Sequence, residues 1–255
     1  MVVHYVVRGE VEIIRHGKSV RTMGPRTVVG GIAALAEDEM SYDCIARQDT
    51  VTLEVSNDDG QEIFEDHFWY LKRALEGTGG EVLEARRQLG PSAGFGEVGP
   101  ALICPDRPLD LVEKMAVLRK MMSFADSQID AIADLAREAQ EVRYKEGEVL
   151  WEVGDKGGYF LMPLCGAVTC SAQDPEQEFR LGPGDSIGLL DAVSGEPRWF
   201  RAVADEDIVA FRIGTEEMFD VLEDHFGMAM SMLRGMATGM LRMYDLKAGV
   251  SVDSD

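Results

Sequence analysis

The chain of 255 residues lacks any run of 18 or more apolar residues, which excludes a helix that spans a membrane. Its opening, Met1-Val2-Val3-His4-Tyr5, has no basic segment and no small-residue cleavage site, so it does not read as a signal peptide. Cations are scarce: 25 Lys and Arg stand against 46 Asp and Glu, for a formal charge of −21. Nucleic-acid binding needs clustered Lys and Arg on the phosphates, so that class is excluded. What remains is a protein repelled by DNA and anionic membranes, or one with a basic partner. The four cysteines (Cys44, Cys104, Cys165, Cys170) form no CxxC pair and are expected to be buried or free thiols in a reducing cytoplasm. No HExxH, P-loop or Cys/His metal spacing occurs, and His4, His16, His67 and His225 are scattered. With no nucleophile or acid–base constellation either, the chain is expected to be no enzyme and to hold no metal or cofactor.

What the chain does contain is a copy of itself. Glu65-Asp66-His67-Phe68 recurs as Glu223-Asp224-His225-Phe226, an offset of 158 (223 − 65). The same offset pairs Gly24-Pro25 with Gly182-Pro183, Gly30 with Gly188, Ala46 with Ala204 and Val55 with Ile213, and Gly9 meets Gly166 one residue out of step. A period this long means two copies of one domain, not a short-repeat solenoid.

The second copy is the complete one. Ile129, Ile132, Ala133, Leu135 and Ala136 recur with a helical period after a cap at Asp126 or Ser127. Short β-rich segments follow, broken by Gly and Pro: Glu148–Val153, Tyr159–Leu164, Ala167–Ser171, Glu178–Leu181, Trp199–Ala204 and Ile208–Ile213. That spacing predicts a barrel or jelly roll, with a helix from Glu216. The first copy shows the same back half: strands over Tyr5–Arg15 and Thr50–Val55, then a helix over Asp58–Leu75. It has no counterpart of the opening helix and first two strands, and a roll without them leaves unpaired edges. A start upstream of Met1 is the favoured explanation; a truncation, or filling by Gly90–Pro108, are the alternatives. Residues 77–109, rich in Gly and Pro, read as a linker with a short helix over Glu81–Leu89. The expected domains are therefore 1–76, a linker at 77–114, 115–245, and an acidic disordered tail at 246–255.

Within the second copy, Ile187-Gly188-Leu189-Leu190-Asp191-Ala192 is followed by Pro197-Arg198-Trp199-Phe200-Arg201-Ala202-Val203-Ala204. This stretch resembles the phosphate-binding cassette of cyclic nucleotide-binding domains, the module of catabolite activator protein and of cAMP-dependent protein kinase regulatory subunits. Tyr144-x-Glu146-Gly147-Glu148 with Gly154-Asp155 and Tyr159-Phe160 resembles that family's opening strands. The resemblance implies a chain with β-sheets as its main structure and flanking helices: two β-roll (jelly-roll, double-stranded β-helix) domains of cyclic nucleotide-binding type, each followed by an α-helix.

The resemblance also implies a site. A helix starting after Gly188 aims backbone N–H groups at an exocyclic phosphate, and Arg198 neutralises it with a planar fork of donors. The candidate ligand residues are Gly188, Leu189, Leu190, Asp191, Arg198 and Trp199, and the candidate ligand is a cyclic nucleotide. The family's ribose-binding acid falls on Leu189, which accepts no hydrogen bond; Asp191, two residues on, is the substitute to consider. Phe200 sits where the family has a small residue. Trp199 is either a purine stacker or a core aromatic, and Arg201 either a second phosphate ligand or an exposed strand charge. In the first copy the acid falls on Gly31 and the arginine on Met40, so that copy reads as a structural pseudo-domain.

In the last helix Phe226, Ala229, Leu233, Met236, Met240 and Met243 are spaced 3, 4, 3, 4, 3, a heptad seam. The family's activator proteins dimerise through this helix, so a homodimer or a protein partner is expected to dock here, on an adaptable Met-rich face. No helix-turn-helix follows. Two functions compete: a non-catalytic regulatory scaffold with degenerate pockets, and a cyclic nucleotide sensor using the second domain alone.

Overall fold

In the computed structural model, residues 2–37, 42–90, 98–121, 127–172 and 178–250 are described. The chain forms two compact units: unit 1 comprises Met1–Ala74 with Leu233–Asp255, and unit 2 comprises Leu75–Met232.

Unit 1 carries two three-stranded sheets. In the first, β1 (Val2–Arg8) lies between β4 (Val28–Val29) and β6 (Val51–Ser56). In the second, β2 (Val11–Arg15) lies between β3 (Lys18–Met23) and β5 (Asp43–Ala46). All pairings are antiparallel. Val6, Val11, Ile13, Val20 and Val29 face inward and are buried. Helix α1 (Gly31–Ala36) follows β4, and α2 (Asn57–Asp66) follows β6, capped by Ser56, which accepts from the Asp59 N–H at 3.0 Å. Helix α3 (Phe68–Leu89) begins in unit 1 and ends in unit 2.

Unit 2 opens with α4 (Leu111–Leu118), held by a capping box between Asp110 and Glu113, and α5 (Ile129–Glu138). The N-cap of α5 is Gln128, not Ser127; Asp126 lies outside the described residues. One sheet is β7 (Gln140–Tyr144), β13 (Ile208–Gly214) and β9 (Tyr159–Cys165), in that order. The other is β11 (Glu178–Leu181), β10 (Val168–Ser171), β12 (Arg201–Ala204) and β8 (Val149–Trp151). Inward residues alternate along β10, β11 and β12, whereas β9 and β13 are buried on almost every residue, and together they meet in one core that includes Trp151, Leu161, Phe179, Phe200 and Ala210. Helix α6 (Leu189–Ser194) follows β11, while α7 (Thr215–Asp224) and α8 (Phe226–Lys247) follow β13.

Elements recur at the offset read from the sequence. Both ends of α1 and α6 are 158 residues apart, and so are both ends of β5 and β12, α2 and α7, and α3 and α8.

Five expectations are corrected. The chain is a mixture of helix and strand, not mainly β, because α3 and α8 each run for 22 residues. The predicted linker at 77–114 is helical up to Leu89: Gly79 and Gly80 lie beside Val193 and Ser194 of α6, and packing there overrides the low helix propensity of glycine. The boundary at 245 gives way because residues 233–250 belong with unit 1: Asp245 of α8 accepts from Arg15 Nε at 2.7 Å and meets His16 Nε2 at 2.7 Å. The tail expected from 246 is helical to Lys247, with Ala248 buried and its carbonyl accepting from Lys18 Nζ at 2.5 Å; residues 251–255 lie outside the described set. Finally, Cys104 and Cys165 form a disulfide, which leaves Cys44 exposed and Cys170 buried as thiols.

No helix among the described residues is long and apolar enough to cross a membrane.

Candidate functional site

The site is built at the start of α6. Gly188 is its N-cap, with φ 77° in the left-handed region that favours glycine. Ten residues on, Arg198 returns to the same point. Its Nη1 donates to the Gly188 carbonyl at 3.0 Å and to Asp191 Oδ2 at 2.9 Å. Its Nη2 donates to the Tyr159 carbonyl. The guanidinium lies 4.1 Å from the Trp151 ring centroid and 4.9 Å from that of Tyr159, a cation held on two aromatic faces. The chain thus brings Gly188, Asp191 and Arg198 together and adds Trp151 and Tyr159, which motif spacing missed. An aromatic at the end of β8 and another at the start of β9 were the available signal.

Arg198 is 1% exposed and Asp191 1% exposed, so solvent reaches neither. Burial pushes the Asp191 carboxyl above its ordinary value, with the Arg198 charge acting against it. Three polar atoms of this cluster are buried without a hydrogen-bond partner: Arg198 Nε, Asp191 Oδ1 and Trp151 Nε1.

The remaining candidates are placed as follows. Leu189 and Leu190 are half-buried in the first turn of α6. Trp199 is half-buried and stacks one ring face on Phe179, with centroids 5.7 Å apart and planes 15° from parallel. Phe200 is buried against Trp151. Arg201 pairs with Glu152 at 3.0 Å on the surface. Asp191 turns onto Arg198.

Behind α6, the second half of α3 brings Arg86 toward Asp185. Burial lowers the Arg86 guanidinium to about 10, opposed by the Asp185 charge. Burial raises the Asp185 carboxyl, opposed by the Gly182 N–H and Arg86.

The equivalent turn in unit 1 repeats the backbone. Gly30, with φ 87°, caps α1. The next residue is Gly31 in place of an acid, and Met40 lies outside the described residues.

The seam of α8 is corrected as a free docking face. Ala229, Leu233, Met236, Met240 and Met243 are buried by this chain itself, and Phe226 is half-buried. Sequence periodicity identifies an apolar face but not whose residues cover it.

Among the described residues no group of three or more His, Cys, Asp or Glu is placed to hold a metal ion.

Residues 141–225, from β7 to just past the end of α7, match the family model described as cyclic nucleotide-binding domain. No curated protein matches the chain. Among solved structures it is similar to the regulatory subunit of a cAMP-independent protein kinase A from Trypanosoma cruzi bound to guanosine, at 14% identity over 90% of this chain and 68% of that one, TM-score 0.40. It is also similar to the regulatory domain of Toxoplasma gondii PKA crystallised with cAMP, at 14% identity over 93% and 78%, TM-score 0.41. A third is the N-terminal domain of a transcriptional regulator from Streptomyces coelicolor A3(2), at 24% identity over 53% and 98%, TM-score 0.44.

Proposed function

We propose that this chain is a non-catalytic regulatory protein of the cyclic nucleotide-binding class that works through protein contacts, its ligand pockets being degenerate. One observation carries this: the arginine that matches the phosphate ligand is spent internally. Arg198 is bound to Asp191 at 2.9 Å with both side chains at or below 1% exposure, so the guanidinium already has a carboxylate of the chain as its counter-charge. Leu189 supplies no acceptor for a ribose hydroxyl, and Phe179 already covers one face of Trp199. A phosphate would have to displace Asp191 and leave that carboxylate buried without its counter-charge, which costs several kcal/mol.

The second reading, a cyclic nucleotide sensor acting through unit 2, draws on the three unpartnered atoms. Arg198 Nε and Trp151 Nε1 are buried donors that an entering oxygen would satisfy. Its predicted output is a change in the contacts of the helices that follow the roll. The cytoplasmic placement rested on four thiols, and the Cys104–Cys165 bridge removes that ground.

Calorimetric titration with cAMP, cGMP and a cyclic dinucleotide, alongside Arg198→Ala, decides between the readings. The proposal expects no heat up to millimolar ligand. Micromolar binding that Arg198→Ala abolishes would overturn it in favour of the sensor.

A further inference from the structure

Strand β9 ends in a bulge. Cys165 lies opposite Val209 of β13 and Pro163 opposite Ala210, so Leu164 is the extra residue between them. Leu164 is fully buried, and a buried carbonyl needs a donor. Two donors come from the segment ahead of α4: the Leu102 N–H at 2.8 Å and the Ile103 N–H at 3.3 Å. One residue further along on each side, Cys104 and Cys165 are joined by the disulfide. Strand β9 is an outer strand of its sheet, so residues 102–104 cover a strand edge and the bridge holds that cover down. Further back along the same edge Leu161 exchanges hydrogen bonds with Ile187, the residue before Gly188, at 2.9 and 2.7 Å.

The neighbouring contacts bound the part that the bridge controls. Residues 98 and 99 lie on the turn ahead of the cassette: a Cβ at Gly182 would fall 2.5 Å from Val98 Cγ1, and one at Gly99 would fall 3.1 Å from the Pro183 carbonyl. From Pro105 onward the chain is fastened without sulfur. The Pro105 carbonyl accepts from Arg143 Nη2 at 3.0 Å, and the Leu109 N–H donates to Glu141 Oε2 at 3.0 Å, both on β7. Lys114 Nζ of α4 reaches the Ala139 carbonyl at 2.5 Å. The two sulfurs also differ in access. Cys104 is exposed, whereas Cys165 is 4% exposed. Exposure of one sulfur separates a bridge that thiols can open from one sealed in a core. Cys170, the other thiol of unit 2, is buried, and burial holds it well above its ordinary value, so it does not compete as a nucleophile.

We infer that Cys104–Cys165 is a redox latch: a dithiol reductant opens it in the folded protein, residues 98–104 lift from β9, and the edge at Leu164 and the Gly182–Pro183 turn are uncovered. The thiolate of the reductant attacks the exposed Cys104 sulfur, and Cys165 leaves as a thiolate. The second thiol of the reductant then attacks the mixed disulfide and releases Cys104. Two electrons pass from the dithiol, which closes to its own disulfide, and its two protons end on Cys104 and Cys165. The uncovered turn stands six residues ahead of Gly188 (188 − 182), so the latch is a control placed beside the cassette. It goes beyond the protein-contact reading and does not depend on it, since the nucleotide titration leaves the bridge untouched.

The test treats the full chain with dithiothreitol over a range of concentrations, follows loss of the bridge by alkylation and mass spectrometry, and reads hydrogen exchange before and after. The reduction rate is expected to rise in proportion to dithiothreitol without a plateau. After reduction, exchange at Leu102 and Ile103 is expected to accelerate by roughly tenfold or more beyond any change at 209–213, the β13 core, while 109–118 follow the core. Cys104→Ser is expected to show the same pattern untreated and to be unaffected by dithiothreitol. A plateau in the rate overturns the proposal, because the bridge then opens only when the roll unfolds. So does unchanged exchange at Leu102 and Ile103 in the reduced protein. Equal acceleration at 102–103 and 209–213 overturns it as well, because the bridge then supports the whole roll and latches nothing. The wild-type reduction decides by itself should Cys104→Ser fail to fold.

Discussion

Arg198 and Asp191 are bound to each other, Nη1 to Oδ2 at 2.9 Å, with side-chain exposures of 0 and 1%. The pair is isolated from water, so its energetics are those of a buried ion pair: removing one partner costs far more than replacing both. Asp191→Ala is expected to destabilise the protein by about 3–5 kcal/mol, and Arg198→Met with Asp191→Leu by much less. Denaturant melts of the three proteins check this. In Asp191→Ala, added phosphate is expected to recover part of the loss, where chloride at equal ionic strength does not, because the freed guanidinium then has the vacancy its fork fits.

Gly188 and Gly30 hold the same place in the two copies and are expected to differ in tolerance. A Cβ at Gly188 meets Arg198 Nη1 directly and lies 3.0 Å from its Cζ and 3.3 Å from Trp151 Cη2, groups that are themselves packed. A Cβ at Gly30 meets nothing nearer than the Val2 carbonyl at 3.4 Å. Gly30→Ala therefore carries only the left-handed backbone cost, about 1–2 kcal/mol. Gly188→Ala carries that cost and a displaced Arg198 as well, and is expected to lower Tm by clearly more. Equal shifts in Tm would contradict the difference drawn between the two turns.

The copies were legible because repetition survives as backbone punctuation. Gly30 and Gly188, and the Glu-Asp-His-Phe segments that close α2 and α7, hold the same structural positions. The Gly188–Arg198 spacing was also legible, since turn and strand fix it locally. Three things were not. The Gly77-Thr78-Gly79-Gly80 run reads as a break, yet it is helical, because the neighbours that hold it are Val193 and Ser194, more than a hundred residues away in sequence. The direction of Asp191 depends on Trp151 and Tyr159 closing the other sides of Arg198. The seam of α8 was visible as periodicity, but its burial comes from tertiary packing that periodicity does not specify.

The Cys104–Cys165 bridge joins residues 61 apart and ties the segment before α4 to the end of β9, where Leu102 N–H also donates to the Leu164 carbonyl at 2.8 Å. Closing a loop of this size restricts the unfolded chain, and its loss is expected to cost about 2–4 kcal/mol. Cys104→Ser and chemical reduction of the native protein should lower Tm by the same amount, and reducing Cys104→Ser should change nothing further. A reductant effect that persists in Cys104→Ser would place its cause elsewhere.

Asp245 fastens the end of α8 to unit 1. Burial alone would raise its carboxyl, but hydrogen bonds from Arg15 and His16 outweigh burial and hold it below its ordinary value of 3.8. A carboxyl depressed in the folded state stabilises fully above its unfolded value and loses that contribution as the pH falls through the folded one. Asp245→Asn keeps the shape and removes the charge, and is expected to cost about 2 kcal/mol at neutral pH, the usual worth of hydrogen bonds to a charged group. The gap between the two melting curves should hold from pH 7 to about 4 and close below that, as the wild-type carboxyl protonates. A gap that stays constant to pH 2 would show that Asp245 acts through packing, and that the charged contacts to Arg15 and His16 are not what holds α8 on unit 1.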